Sequence, residues 1–355
     1  MNNVLLEKRN RAVARWLLIG VGMIVIQVLI GGITRLTESG LSITEWKPLT
    51  GALPPLNHAD WVAEFEKYRT TDQFKYVHQD FSLGKFKFIF FWEWFHRLWA
   101  RLLGLVFLIG FIYFLAKKYF NKGMILPMVI LFILGGLQGA IGWLMVKSGL
   151  VPEKYFVGHV ELTTHLIAAL ILLAYTLWFA LSLLPATQNK VYRPALKNIL
   201  LLIGVLVFFQ LIYGGFMAGL KAAPTAPTWP TINGSYIPAG MQELQPPGRN
   251  FTDNKILIHF IHRGLAYLIF AVVVIYYFAT RRLNEVVLFN RFNNGLLLIV
   301  CLQVLLGILT VLYSTQPNSL VIFGVLHQFT AMMLVINLVC LHYLVRKSGL
   351  RSIKG

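Results

Sequence analysis

Four histidines stand in runs that are otherwise apolar: His96 in FFWEWFHRLWARLLG, His165 in VELTTHLIAALILLA, His262 in ILIHFIHRGLAYL and His327 in FGVLHQFTAMMLV. Imidazole is the commonest metal ligand among side chains. Two imidazoles facing each other across a helical bundle suit an iron porphyrin with both axial positions filled. Each histidine has alanine four residues on, at Ala100, Ala169, Ala266 and Ala331. On a helix that position lies on the same face, one turn away, and a small side chain there leaves room for a macrocycle standing edge-on. The bland alternative is a histidine that only bonds across helices to a polar neighbour. A bare metal ion is disfavoured, because a zinc site needs three or four protein ligands and neither cysteine nor a carboxylate cluster accompanies these pairs.

Two arginines follow their histidines directly, Arg97 and Arg263. A buried guanidinium wants an anionic oxygen partner, and porphyrin propionates would supply one. The alternative is an arginine that snorkels to lipid headgroups. Glu93 precedes His96 by three residues and shares its helix face, whereas His259 occupies the matching place before His262. A carboxylate in one half only is suited to general acid–base work there. Its alternative is a structural ion pair with Arg97 at i+4. Glu161, one turn before His165, is expected at the interface. His58 and His78 are expected to be solvated, and His342 to be interfacial.

The elements that must position these groups are membrane spans. The chain has 355 residues, of which 57% are hydrophobic and 13% charged, with a mean hydropathy of +0.66. A soluble globular chain is nearer one quarter charged. Eight runs approach the roughly 20 apolar residues that a span needs: 13–33, 88–116, 124–146, 156–184, 195–220, 255–279, 294–313 and 319–345. The fold class expected is therefore an all-α polytopic membrane protein of eight helices.

The net charge of +18 is distributed by topology. Segments expected inside carry Lys8, Arg9, Arg11 and Arg15; Lys117, Lys118 and Lys122; Lys190, Arg193 and Lys197; Arg281, Arg282 and Arg291; and Arg346, Lys347, Arg351 and Lys354. Only Glu7 and Glu285 oppose them, while the first outer loop holds seven acids. This positive-inside pattern places both termini in the cytoplasm. The basic excess reports orientation and attraction to anionic lipid, not nucleic acid. The basic first 15 residues lack a small-residue cleavage site and read as a cytoplasmic anchor. Cys301 and Cys340 lie in apolar runs and predict no structural disulfide. Two outer loops are long, 34–87 and 221–254. The first includes WVAEFEKYRTTDQFKYVHQD, spaced as one short surface helix, and the second includes KAAPTAPTWPTINGSYIPAG, too rich in proline for a helix.

The spans repeat in groups of four. IQVLIGGITRL in span 1 is echoed by FQLIYGGFMAGL in span 5, the HisArg pairs fall in spans 2 and 6, GGLQGAIGWL in span 3 is answered by LQVLLGILTVL in span 7, and His165 and His327 fall in spans 4 and 8. Four spans return the chain to the same side, so the halves, 1–190 and 191–355, are expected as parallel-repeat four-helix bundles. Gly31–Gly32, Gly135–Gly136 and Gly214–Gly215 read as close-packing positions between helices. The histidines fall 7 to 9 residues past the expected starts of spans 2, 4, 6 and 8. At ~1.5 Å per residue all four lie about 10–14 Å below the outer edge.

At these residues the chain resembles the haem A synthase family, of the proteobacterial and mitochondrial branch. The likeness is carried by GGITRLTESGLSITEWKPLTGALPPL, EWFHRL, the span 4 and span 8 histidines, the GGFMAGL…WP region and FIHRGLAY. The resemblance implies a bacterial inner-membrane enzyme that oxidises the C8 methyl of haem O to a formyl group through hydroxylated intermediates. It implies that His96 and His165, with Arg97, hold the substrate haem, that His262 and His327 ligate a resident haem B with Arg263 on its propionates, and that Glu93 is the catalytic carboxylate. Its partners would be haem O, lipid, an electron acceptor, haem O synthase and oxidase assembly factors. Some members carry cysteine pairs in outer loops, which this chain lacks. The rival reading is a two-haem b-type electron carrier without chemistry on the macrocycle, for which haems near opposite membrane faces are expected. A haem transporter is a further rival. A prenyltransferase would need aspartate-rich motifs, and the spans contain no Asp.

Overall fold

The computed structural model describes residues 3–45, 50–184, 193–281 and 287–346. Lys190, Arg282, Glu285, Lys347, Arg351 and Lys354 of the inside segments, and Trp46 to Leu49 of the first outer loop, lie outside the described residues. Among the described residues eight helices are long and apolar enough to cross a membrane: α1 (Asn3–Leu36), α4 (Leu83–Ala116), α5 (Lys122–Gly149), α6 (His159–Leu183), α7 (Pro194–Gly219), α9 (Lys255–Thr280), α10 (Val287–Leu312) and α11 (Pro317–Val345). Three short helices belong to the loops, α2 (His58–Arg69), α3 (Asp72–Val77) and α8 (Asn250–Asp253).

Each of the eight expected spans is a helix, with different ends. Hydropathy marks where lipid begins, whereas a helix ends where its capping and hydrogen bonding end. Thus α1 runs back through the basic N-terminal segment, whose long side chains are compatible with helix. Likewise α4 begins at Leu83, where Ser82 accepts the Lys85 amide as an N-cap. Asn254 caps α9 by accepting the amides of Ile256 and Leu257. The described part of α10, from Val287 on, includes the polar Asn293, which donates to Thr280 of α9 at 2.9 Å.

The buried apolar side chains form two large clusters. One takes Val13, Leu17 and Ile24 of α1 together with α4, α5 and α6, and reaches Met332 of α11; the other joins α7, α9, α10 and α11. The two groups of helices meet where α6 packs on α7 and where α1 and α6 pack on α11.

The first outer loop has its own small core of Tyr68, Phe86, Ile89 and Phe90. The single surface helix expected there is two helices, because the first ends at its C-cap Thr70 and Thr71 caps the second by accepting the Phe74 amide. The proline-rich stretch 221–240 contains no α-helix, as its composition predicts. The loops are tied to each other by Glu38, which accepts from His78 at 3.2 Å and from Lys221. Lys221 also lies over the Phe156 ring. His78 is therefore buried, not solvated: its Nδ1 pairs with the Tyr68 hydroxyl at 2.6 Å and its Nε2 with Glu38. His58 is exposed as expected. Cys301 and Cys340 are free thiols.

Candidate functional site

A cavity of ≈ 1240 Å³ runs between the helices. It is larger than the roughly 300–1,000 Å³ of an ordinary small-molecule pocket. His96, His165, His262 and His327 all line it, as do Glu93, Arg97 and Arg263. So do Ala100, Ala169, Ala266 and Ala331, so the position one turn along from each histidine does face the void.

His262 of α9 and His327 of α11 face each other with ring centroids 6.5 Å apart and planes crossing at 73°. Two metal–nitrogen bonds of about 2 Å each, plus the distance from nitrogen to the ring centre on either side, span a gap of that size. In each of these rings Nδ1 is buried without a hydrogen-bond partner among the described residues. Buried polar atoms are nearly always satisfied, and two neighbouring imidazoles, each with a partnerless ring nitrogen, beside a large apolar cavity suit the donor set an iron porphyrin takes. The observed helix starts lie 13, 6, 7 and 10 residues before the four histidines. Equal counting from helix ends is therefore lost, and the pairing rests on the cavity and the ring contact instead.

The polar groups beside the histidines hold the outer loops. Glu93 is 3% exposed. Its Oε2 accepts from Ser42 Oγ at 2.7 Å and the Ile43 amide at 2.8 Å, and its Oε1 accepts from Arg97 at 2.5 Å. Three donors on a carboxylate with about four acceptor positions leave room for one more bond. Arg97 continues to the carbonyls of Ile43 and Glu45. Arg263 does the equivalent for the second loop, donating to the carbonyls of Ala226, Thr228 and Thr231, and its Nε is buried without a partner among the described residues. His259, at the place matching Glu93, is fully buried and pairs with the Ala222 carbonyl at 2.8 Å. Glu161 lies in the first turn of α6, where a negative charge complements the helix dipole, and His342 bonds the Leu338 carbonyl of its own helix at 2.8 Å.

Outside the membrane-spanning segments, Glu38 carries the clearest electrostatic signature. The hydrogen bond from His78, and then that from Lys221, outweigh burial and hold its carboxyl down to about 2. Lys221 is itself lowered, because burial outweighs its bond to Glu38.

Two sets of residues escaped the reading of the sequence. The first is a glycine against each imidazole from the preceding span, of which only Gly31 and Gly214 are marked by the sequence, as close-packing positions and not as neighbours of a histidine. A Cβ would stand 3.1 Å from His96 at Gly31, 2.8 Å from His165 at Gly142, 3.3 Å from His262 at Gly214 and 3.0 Å from His327 at Gly307. Gly32 and Gly215 do pack closely, against Gln328 and Thr163, but Gly135 and Gly136 have nothing within 4 Å and line the cavity instead. The second set is a glutamine four residues before each of the four histidine-facing glycines: Gln27, Gln138, Gln210 and Gln303. The recurring Gln-x-x-x-Gly was visible in IQVLIGG, LQGAIG, FQLIYGG and LQVLLG. It had no meaning until the facing histidines were in place.

Comparison with known proteins gives one answer. A family described as cytochrome oxidase assembly protein matches residues 14–339. The haem A synthase of Flavobacterium psychrophilum is 42% identical over 332 residues, covering 92% of this chain and 96% of the relative. That of Flavobacterium johnsoniae is 39% identical over 334 residues, covering 93% and 96%. The haem A synthase of Rhodospirillum centenum is 42% identical over 329 residues, covering 89% and 87%.

Proposed function

The chain belongs to the haem A synthase family, and on that premise we propose that it oxidises the C8 methyl of haem O to a formyl group in a bacterial inner membrane, with both termini in the cytoplasm. The substrate haem lies between His96 and His165 in the half comprising residues 1–190. His262 and His327 would hold a resident haem B in the half comprising 191–355. The observation that carries this reading is the facing His262–His327 pair, 6.5 Å between ring centres, on a cavity that also receives His96 and His165.

The overall change adds one water to the methyl group and removes four protons and four electrons, by way of the alcohol. With imidazole on both faces of the substrate iron, oxygen has no open position there, which favours water as the source of the formyl oxygen. When bound, haem B supplies one-electron transfer.

The chain's own residues do the rest. Glu93 keeps one acceptor position after its bonds to Ser42, Ile43 and Arg97, so it can hold a water or take a proton at the substrate edge. Arg97 holds that carboxylate in place. Arg263, with a free buried Nε, is the group offered to a haem B propionate. The four cavity-facing alanines leave space for the macrocycles, and the apolar wall accepts the prenyl tail. Partners on this reading are haem O, lipid, an electron acceptor, haem O synthase and oxidase assembly factors.

Glu93→Gln tests the assignment. A glutamine retains the shape but neither takes a proton nor accepts from Arg97 at its amide nitrogen. The variant retains haem and accumulates haem O or the alcohol. Undiminished haem A production from Glu93→Gln would remove Glu93 from the chemistry.

A further inference from the structure

Each imidazole faces a glutamine on the preceding transmembrane helix, but the four glutamines do not hold their histidines in the same way. The Gln210 amide nitrogen lies 3.3 Å from the His262 Nε2, and that of Gln303 lies 3.3 Å from the His327 Nε2. Gln138 divides its amide between the His165 Nδ1 at 3.3 Å and the His165 carbonyl at 3.2 Å. Gln27 bonds only the His96 carbonyl, at 3.2 Å. In all four glutamines Oε1 is buried with no hydrogen-bond partner among the described residues.

Four buried acceptors of one type, each one turn of helix from a glycine that touches a ring, call for a common donor. A metal-bound imidazole provides it. One ring nitrogen goes to the iron and the other must carry the proton. In apolar surroundings that N–H needs an acceptor, and metal-binding histidines regularly find one outside the ligand shell. A half-turn of a glutamine amide exchanges its oxygen and nitrogen positions. For Gln210 and Gln303 the half-turn costs no other bond made by Nε2. Oε1 would then stand where the ring N–H of a ligated His262 or His327 needs it. For Gln138 the same turn gives up the bond to the His165 carbonyl, and Gln27 does not reach the His96 ring at all.

We infer that Gln210 and Gln303 are positioning residues that accept the ring N–H of the two haem B ligands and set the electron richness of that iron, while His96 is left as the one ligand whose ring no glutamine holds. The inference rests on the reading that a haem bridges His262 and His327. It assigns a reason for the asymmetry between the halves. A resident cofactor has both axial rings held, and a haem that must enter as substrate and leave as product meets one ring free to turn.

The test is the reduction potential and low-spin electron paramagnetic resonance signal of the haems in the full-length purified protein. Gln303→Leu removes the acceptor, makes the imidazole a poorer electron donor, and shifts one haem to higher potential with haem retained. Gln303→Glu provides a stronger acceptor and shifts the same haem to lower potential. Gln210→Leu and Gln210→Glu repeat the pair if the Gln303 variants do not accumulate. Gln27→Leu leaves that haem's potential where it was. Opposite shifts from Leu and Glu support the inference, because a packing defect moves both variants the same way. Wild-type potentials in both variants, or shifts of one sign, overturn it. A wild-type protein with no low-spin haem signal would instead overturn the haem assignment beneath it.

Discussion

The Arg97 guanidinium donates to the Glu93 carboxylate at 2.5 Å, one turn apart on α4, with the pair almost wholly removed from solvent. The same arginine reaches the carbonyls of Ile43 and Glu45, and the same carboxylate accepts from Ser42 and the Ile43 amide. The carboxylate proposed for catalysis and the loop anchor are thus one device. Removing one member of a buried, hydrogen-bonded ion pair leaves an uncompensated charge and costs about 3–5 kcal/mol. Arg97→Ala is therefore expected to lower the thermal midpoint in detergent and to expose the 39–45 segment to proteolysis. Arg97→Lys retains charge but not the fork, and falls between. An Arg97→Ala protein as stable as the parent, with the segment protected, would contradict this account of the anchor.

The glycines that touch the imidazoles give a second expectation. At Gly142 a Cβ would stand 2.8 Å from the His165 ring, closer than any real contact, whereas at Gly22 nothing lies within 4 Å. The ring is the part that can yield, so Gly142→Ala turns His165 away from the iron. A misplaced ligand of this kind costs about 10–100-fold in metal-site affinity. Gly22→Ala is expected to be neutral or slightly favourable, since alanine is the better helix former by about 1 kcal/mol. Haem titration of the two variants checks the contrast, and equal haem affinity in both would contradict it.

Glu38 makes the tie between the two outer loops dependent on acid. Its carboxyl is held down to about 2 from the ordinary 4.5 by the bonds from His78 and Lys221. A depressed carboxylate contributes stability that is fully present above about 4.5 and is lost as pH falls through about 2. Protection of the outer-loop amides against hydrogen exchange is accordingly expected to weaken as pH drops below 4.5. Glu38→Gln weakens that protection at neutral pH and flattens its dependence on acid. A wild-type loop whose protection does not change between pH 5 and pH 3 would contradict the assignment.

On the proposed function the two histidine pairs hold different haems. His262→Ala or His327→Ala is expected to remove the resident haem and leave the other site able to bind, so haem per chain falls by about half. His165→Ala is expected to spare the resident haem and abolish retention of haem O. Pyridine haemochrome spectra with chain quantification measure both. Loss of both haems from a single second-half variant would show that the two sites do not bind independently.

Much of this was legible in the residues, for identifiable reasons. A span is written in twenty apolar residues, so all eight helices could be read. An imidazole in such a run is conspicuous, so the four cavity histidines could be read with their alanines. Helix ends could not: Leu83 begins its helix through the Ser82 cap, which hydropathy does not register. His78 was misplaced because its burial depends on Tyr68 and Glu38, the latter forty residues away in sequence, in a loop whose packing has no period. The glutamines and glycines facing the histidines were in plain view, yet they acquire a role only when α1, α5, α7 and α10 are set beside the helices that follow them. The haem geometry of the first half rests on the cavity it shares with the second.

On the proposed function the chain holds haem O between His96 and His165 and converts it. The direct measurement is extraction and chromatography of the pigments from membranes in which the full-length chain is produced together with a source of haem O. The expected result is haem A, with haem B alongside it. Two unmodified B haems and no haem A would contradict the account and leave an electron carrier in its place.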